Sequence, residues 1–256
     1  MNYKFVQFCK MMARMKKILT LLCVVLLSQS SYSQYESDYS IGVMGGISIG
    51  KIENLGEIII SEDYYSNYTL DENRRIKGMG GIFFNARIPE TILAFQPEVS
   101  YSQKYMNLHY NDIYGLWYDM DFKYQFVNVG VMAKVYTVGG LNFEVGFQMG
   151  FNITPNHIEY HSNGEQLGLS GSDIETRDQL RKVLKGNNDF SVMAGVSYEF
   201  PFGLYIDGRY LWGVSDVVTT EYNPYKFIEN KNKANSIVIS VGYAYSFGKS
   251  SNWKRR

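Results

Sequence analysis

The chain of 256 residues carries 25 basic and 25 acidic side chains, a balance that gives no electrostatic footprint for nucleic acid. Hydrophobic residues make up 45% and aromatic residues 16%, yet no stretch reaches the roughly 18 consecutive apolar residues of a transmembrane helix. Insertion into a bilayer is therefore open only to strands.

The first segment is a leader. Arg14, Lys16 and Lys17 precede an apolar run from Ile18 to Leu27, and Ser31-Tyr32-Ser33 forms a small-x-small cleavage site before Gln34. This predicts a cleaved secretory signal peptide over 1–33. Met11, Met12 and Met15 are alternative starts to Met1. A lipoprotein reading of Cys23 is disfavoured, because Leu22 stands where a small residue should precede the modified cysteine. Cleavage removes five basic residues and no acid, leaving 20 basic against 25 acidic residues and a net charge of −5. It also removes Cys9 and Cys23, so the exported part owes nothing to disulfides. The 223 residues that remain suffice for one domain.

Eight alternating segments follow. In the first, Tyr39, Ile41, Val43, Ile47 and Ile49 oppose Ser40, Gly42, Met44, Gly46 and Ser48. That period of two predicts a strand with one bulky apolar face and one small, weakly polar face. The pattern recurs over 77–88, 93–102, 127–136, 141–153, 190–200, 204–214 and 236–247. The phase slips near Phe126, which predicts either a bulge or the point where the strand leaves the membrane.

Connections alternate in length. The turns 89–91, 137–140 and 201–203 are short and rich in proline and glycine, whereas polar links occupy about 51–76, 105–120, 154–188 and 216–235. In the third link, Ser172 and Glu175 form a capping box before a short helix. Short turns on one rim and long loops on the other predict an all-β, eight-stranded antiparallel transmembrane up-and-down barrel, with periplasmic turns and extracellular loops. Its expected limits are 34–248, followed by a basic periplasmic tail over 249–256.

A secreted lipocalin-like barrel would also show eight alternating strands, with the bulky residues inside. The small faces decide between the two, because a water-facing surface should be dense in Lys, Glu, Thr and Asp, and these are mostly Gly, Ser, Ala and Asn. They suit a crowded lumen. Eight charges fall on the interior faces: Arg87, Lys104, Lys134 and Arg209 against Glu98, Glu144, Glu199 and Asp207. Equal numbers of each sign predict a neutralised polar network, read foremost as a plug of salt bridges that holds the barrel's shape, with a binding or conducting site as the alternative. Tyr136, Phe200, Phe202, Tyr245 and Phe247 are expected at the short-turn interface, and Tyr101, Trp117, Tyr118 and Trp212 at the other.

"FQPEVSYSQK" (95–104), "YQFVNVGVMAKVY" (124–136), "EVGFQMGFN" (144–152), "DFSVMAGVSYEFPFGLYIDGRYLWGVSDV" (189–217) and the closing "VGYAYSF" resemble the small outer-membrane β-barrel family of Bacteroidota often called PorT-like. The resemblance covers nearly all of the exported chain. It implies an eight-stranded barrel with Glu98, Lys134, Asp207 and Arg209 inside, and it links the family to type IX secretion. Gly130, where the family commonly has proline, and the tail beyond Phe247 depart from the pattern.

Chemistry is sparse. His157 and His161 in "HIEYH" have metal-ligand spacing only on a helix, and here they follow Pro155 in a predicted loop. No serine is singled out as a nucleophile beside His109, His157 or His161, so no enzyme, metal site or cofactor is expected. The expected protein is a monomer in outer-membrane lipid, of structural or interaction type and acting through its loops. An accessory role in secretion or envelope assembly with a protein partner, or a narrow pore or small-ligand binder, are the alternatives.

Overall fold

The structure, a computed structural model, describes residues 39–53, 68–89, 91–168, 172–220 and 232–247. The predicted leader and basic tail lie outside the described residues. Eight strands close into a ring: β1 (Tyr39–Ile52), β2 (Tyr68–Arg87), β3 (Leu93–Asp112), β4 (Trp117–Tyr136), β5 (Leu141–Asn152), β8 (Asp189–Glu199), β9 (Leu204–Gly213) and β11 (Ala234–Phe247). Each pairs antiparallel with its neighbours, and β11 pairs with β1 from Tyr39↔Phe247 to Ile52↔Ala234, so the ring has no free edge there. Three short strands, β6 (Ile158–Ser162), β7 (Leu184–Gly186) and β10 (Val218–Thr220), continue the wall beyond the ends of β5, β8 and β9.

The bulky faces point outward. Val145 is 59% exposed and Phe147 53%, while their neighbours Glu144 and Gln148 are buried. On β11 the same holds for Ile237, Ile239, Val241 and Tyr243 against Ser236, Val238 and Ser240. A water-soluble chain would hide these side chains. A ring of them is stable only against hydrocarbon.

Strands β2, β3 and β4 run 20 residues each, about twice the 9–11 that a tilted strand needs to cross a bilayer. In β3 and β4 the excess exchanges its faces. On the membrane half of β4, Val127, Val129, Val131 and Val135 point out, and Asn128, Met132 and Lys134 point in. On the far half Met120, Phe122, Tyr124 and Phe126 point in, and Asp119, Asp121, Lys123 and Gln125 point out. The pairing of β4 with β3 is continuous from Leu93↔Val135 to Asn111↔Trp117, so the slip at Phe126 marks the strand leaving the membrane and not a bulge. The bulge lies in β2 instead, where the register against β3 shifts between Arg74 and Met79.

All four predicted loops therefore contain sheet, the fourth, 216–235, holding β10 and the start of β11. Most of 105–120 is the β3–β4 hairpin, closed by a tight turn at 113–116, and 68–76 belongs to β2. The link 154–188 holds β6, β7 and the helix α1 (Asp173–Val183), whose N-cap Ser172 accepts a hydrogen bond from the Glu175 backbone N–H. The short turns are as expected; Gly203 closes one of them at φ 93°, a conformation open to glycine.

Candidate functional site

The lumen is filled in layers. At the short-turn mouth the Arg87 guanidinium sits 3.7 Å over the Tyr136 ring, with Glu199 at 3.9 Å, and Asn85 donates to the Tyr136 hydroxyl at 2.6 Å. Tyr136 thus caps the inside of the barrel and does not sit at the lipid interface. Above it Phe83 and Tyr205 meet edge to face at 5.2 Å. Each ring lies against a wall glycine: a Cβ on Gly42 would come within 2.2 Å of Phe83, and one on Gly242 within 2.2 Å of Tyr205.

The mid-lumen holds the charges. Arg209 Nη1 donates to both oxygens of Glu98 at 2.8 and 2.9 Å, and Nε lies 2.7 Å from Asp207 Oδ1 and 3.6 Å from Glu144 Oε1. Lys134 Nζ lies 3.3 Å from Glu144 Oε2. Lys104 stands one layer higher and pairs with Asp189, which also accepts from Ser191 at 2.9 Å. The eight interior residues named from the sequence thus divide in three: Arg87 with Glu199 at the mouth, five in the centre, and Lys104 apart with a partner that alternation did not reveal. Asp189 lies one residue ahead of the alternating run 190–200 that predicts the sixth strand. Asn128 closes this level by donating to Ser102 Oγ at 3.0 Å.

Beyond this layer the interior turns apolar. Ile52, Met106, Leu108, Met120, Phe122, Tyr124, Phe126, Ile158, Leu184, Val217 and Val218 form a continuous core inside the extension. Tyr118 joins it, stacked on Tyr110 at 4.6 Å and tilted against Tyr160 at 5.7 Å, so it too is interior and not at the interface. Burial raises the Tyr160 hydroxyl above its usual range. Trp117, Tyr101 and Trp212 remain on the outside. At the other rim Tyr39, Phe84 and Phe247 cluster outside, as do Tyr198, Phe200 and Phe202.

The outer face of the extension is polar. His109 Nδ1 lies 2.9 Å from Asp119, Asn107 bridges Asp119 and Asp121, and Lys123 pairs with Glu159. The hydrogen bond from Lys123 holds the Glu159 carboxyl below the usual range. Histidines 157 and 161 reside on and beside β6, and no cluster of three or more metal-ligating side chains forms among the described residues.

A closed ring with an apolar belt outside and polar groups within defines a transmembrane barrel of the outer-membrane type. The chain belongs to the outer membrane protein beta-barrel domain family, whose sequence model matches residues 28–219, and it resides in the outer membrane. A search among curated proteins finds no match. Solved structures with a similar fold include neisserial surface protein A, at 12% identity over 83% of this chain and 100% of that one with a TM-score of 0.37. Ail of Yersinia pestis, in complex with a heparin analogue, is 10% identical over 82% of this chain and 100% of its own, with a TM-score of 0.40. OprG of Pseudomonas aeruginosa is 10% identical over 83% and 98%, also at 0.40. Likeness at this level carries no functional inference.

Proposed function

We propose that the protein is a monomeric, non-enzymatic outer-membrane barrel that works through the face of its extension, while the lumen serves as packing. The carrying observation is the interior: ion pairs fill the membrane half and an apolar core closes the outer half, and the described residues leave no continuous polar path through it. Conduction would require water to replace that core. The partner side is the polar wall formed by β3, β4 and β6, with Asp119, Asp121 and Glu159 on show. An accessory role in secretion or envelope assembly, as the PorT-like resemblance implies, is one use of such a wall.

The test is paired. In planar bilayers the purified barrel gives no unitary conductance, and a photo-crosslinker at Asp119 or His161 in cells traps a specific envelope protein while one at Val131 traps only lipid. Steady channel openings, or lipid adducts alone at all three positions, would reject the reading. Export through the leader predicts that the mature protein starts at Gln34, which N-terminal sequencing reads directly.

A further inference from the structure

Among the described residues, Glu98, Glu144 and Asp207 share the middle of the lumen with two cations, Lys134 and Arg209, and all five are at most 5% exposed. The flanking charges do not correct the imbalance: Lys104 belongs to Asp189, and Arg87 faces Glu199 at the mouth. With Glu98 on Arg209 and Glu144 on Lys134, Asp207 is one acid too many. An uncompensated carboxylate at that depth is costly.

The geometry offers a remedy. The carboxyl groups of Glu144 and Asp207 converge on one donor, Arg209 Nε, which lies 3.6 Å from Glu144 Oε1 and 2.7 Å from Asp207 Oδ1. Two carboxylates both accept and cannot bond, whereas a carboxylic acid donates to a carboxylate. Among the described residues Asp207 Oδ2 finds no donor, and neither Glu144 oxygen makes a geometrically sound hydrogen bond. Among the described residues the groups around the pair are Glu98 from β3, Lys134 from β4, Arg209 and Tyr205 from β9, and Ser240 from β11, 3.3 Å from Asp207. From β8, Ser197 stands opposite Asp207 and brings no charge.

We infer that Glu144 and Asp207 together bind one proton, which makes the five-residue cluster electrically neutral. Its route is from the periplasm. Below the pair, Gln96, Asn142, Ser197 and Tyr205 present polar atoms without a partner among the described residues around a small cavity that Lys134 also lines, whereas the apolar core shuts the extracellular side.

Infrared spectroscopy of the full barrel in lipid vesicles at pH 7 tests this. The expected result is the carbonyl band of an un-ionised carboxyl, shifted in deuterium oxide, present in the wild type and in Glu199→Gln. Charge counting predicts that Asp207→Asn, Glu144→Gln and Glu98→Gln each abolish it, since each leaves two acids for two cations, and that Lys134→Met strengthens it. Heat-modifiable gel mobility identifies variants that fold. A wild type without the band overturns the inference whatever the variants do, as does a band that survives in both folded Asp207→Asn and folded Glu144→Gln.

Discussion

At the level of single residues Lys104 and Asp189 form a matched pair, so removing one member is worse than removing both. Lys104→Met strands Asp189 in a fully buried position and is expected to cost about 3–5 kcal/mol, with Asp189→Asn added on top restoring part of it. Urea titration of the refolded barrel measures both. Gly42→Ala drives a methyl into the Phe83 ring, which Tyr205 holds in place, and should cost about 1–3 kcal/mol by the same assay. Outside the membrane, the carboxyl of Glu159 is depressed by Lys123, so its small stabilising contribution is complete above the unfolded-state value and fades as pH falls through the folded one. Carboxyl-carbon NMR should find it titrating below an ordinary glutamate and returning to the usual range in Lys123→Met. Parity assigns a side to each charge inside an alternating run, because each strand sends alternate positions to one face, but it misses Asp189, which stands one residue ahead of its run. Pairings such as Lys104 with Asp189 were not legible, because the 85-residue separation is bridged only when the ring closes.

At the level of elements, the membrane strands were legible because their outer faces are apolar throughout. The extensions were not, because their outer faces carry Asp119, Asp121 and Lys123, which read as loop. The signal was present in the opposite parity: Met106, Leu108 and Tyr110 in β3 and Met120, Phe122 and Tyr124 in β4 alternate as regularly as the valines below. Such alternation identifies a strand without naming its solvent. Phe122→Ala opens a void in the extension's core and should cost about 3–5 kcal/mol there. Limited proteolysis is expected to cut at the 113–116 turn in this variant, while the heat-modifiable mobility of the barrel is unchanged.

At the level of the whole molecule, two solvents are written into one continuous strand pairing. Val131→Arg places a cation in hydrocarbon and should cost about 2–4 kcal/mol of folding free energy, whereas Gln125→Arg, six residues away on the same outer face, should be nearly silent. Vesicle refolding titrations compare the two directly. The exchange of faces between Gln125 and Val127 also acts as a load line on a hull. Sinking the cylinder by one residue pair would drag glutamine and then lysine into oil, and lifting it would bare valines to water, so the protein carries its own draught mark and floats at a single height.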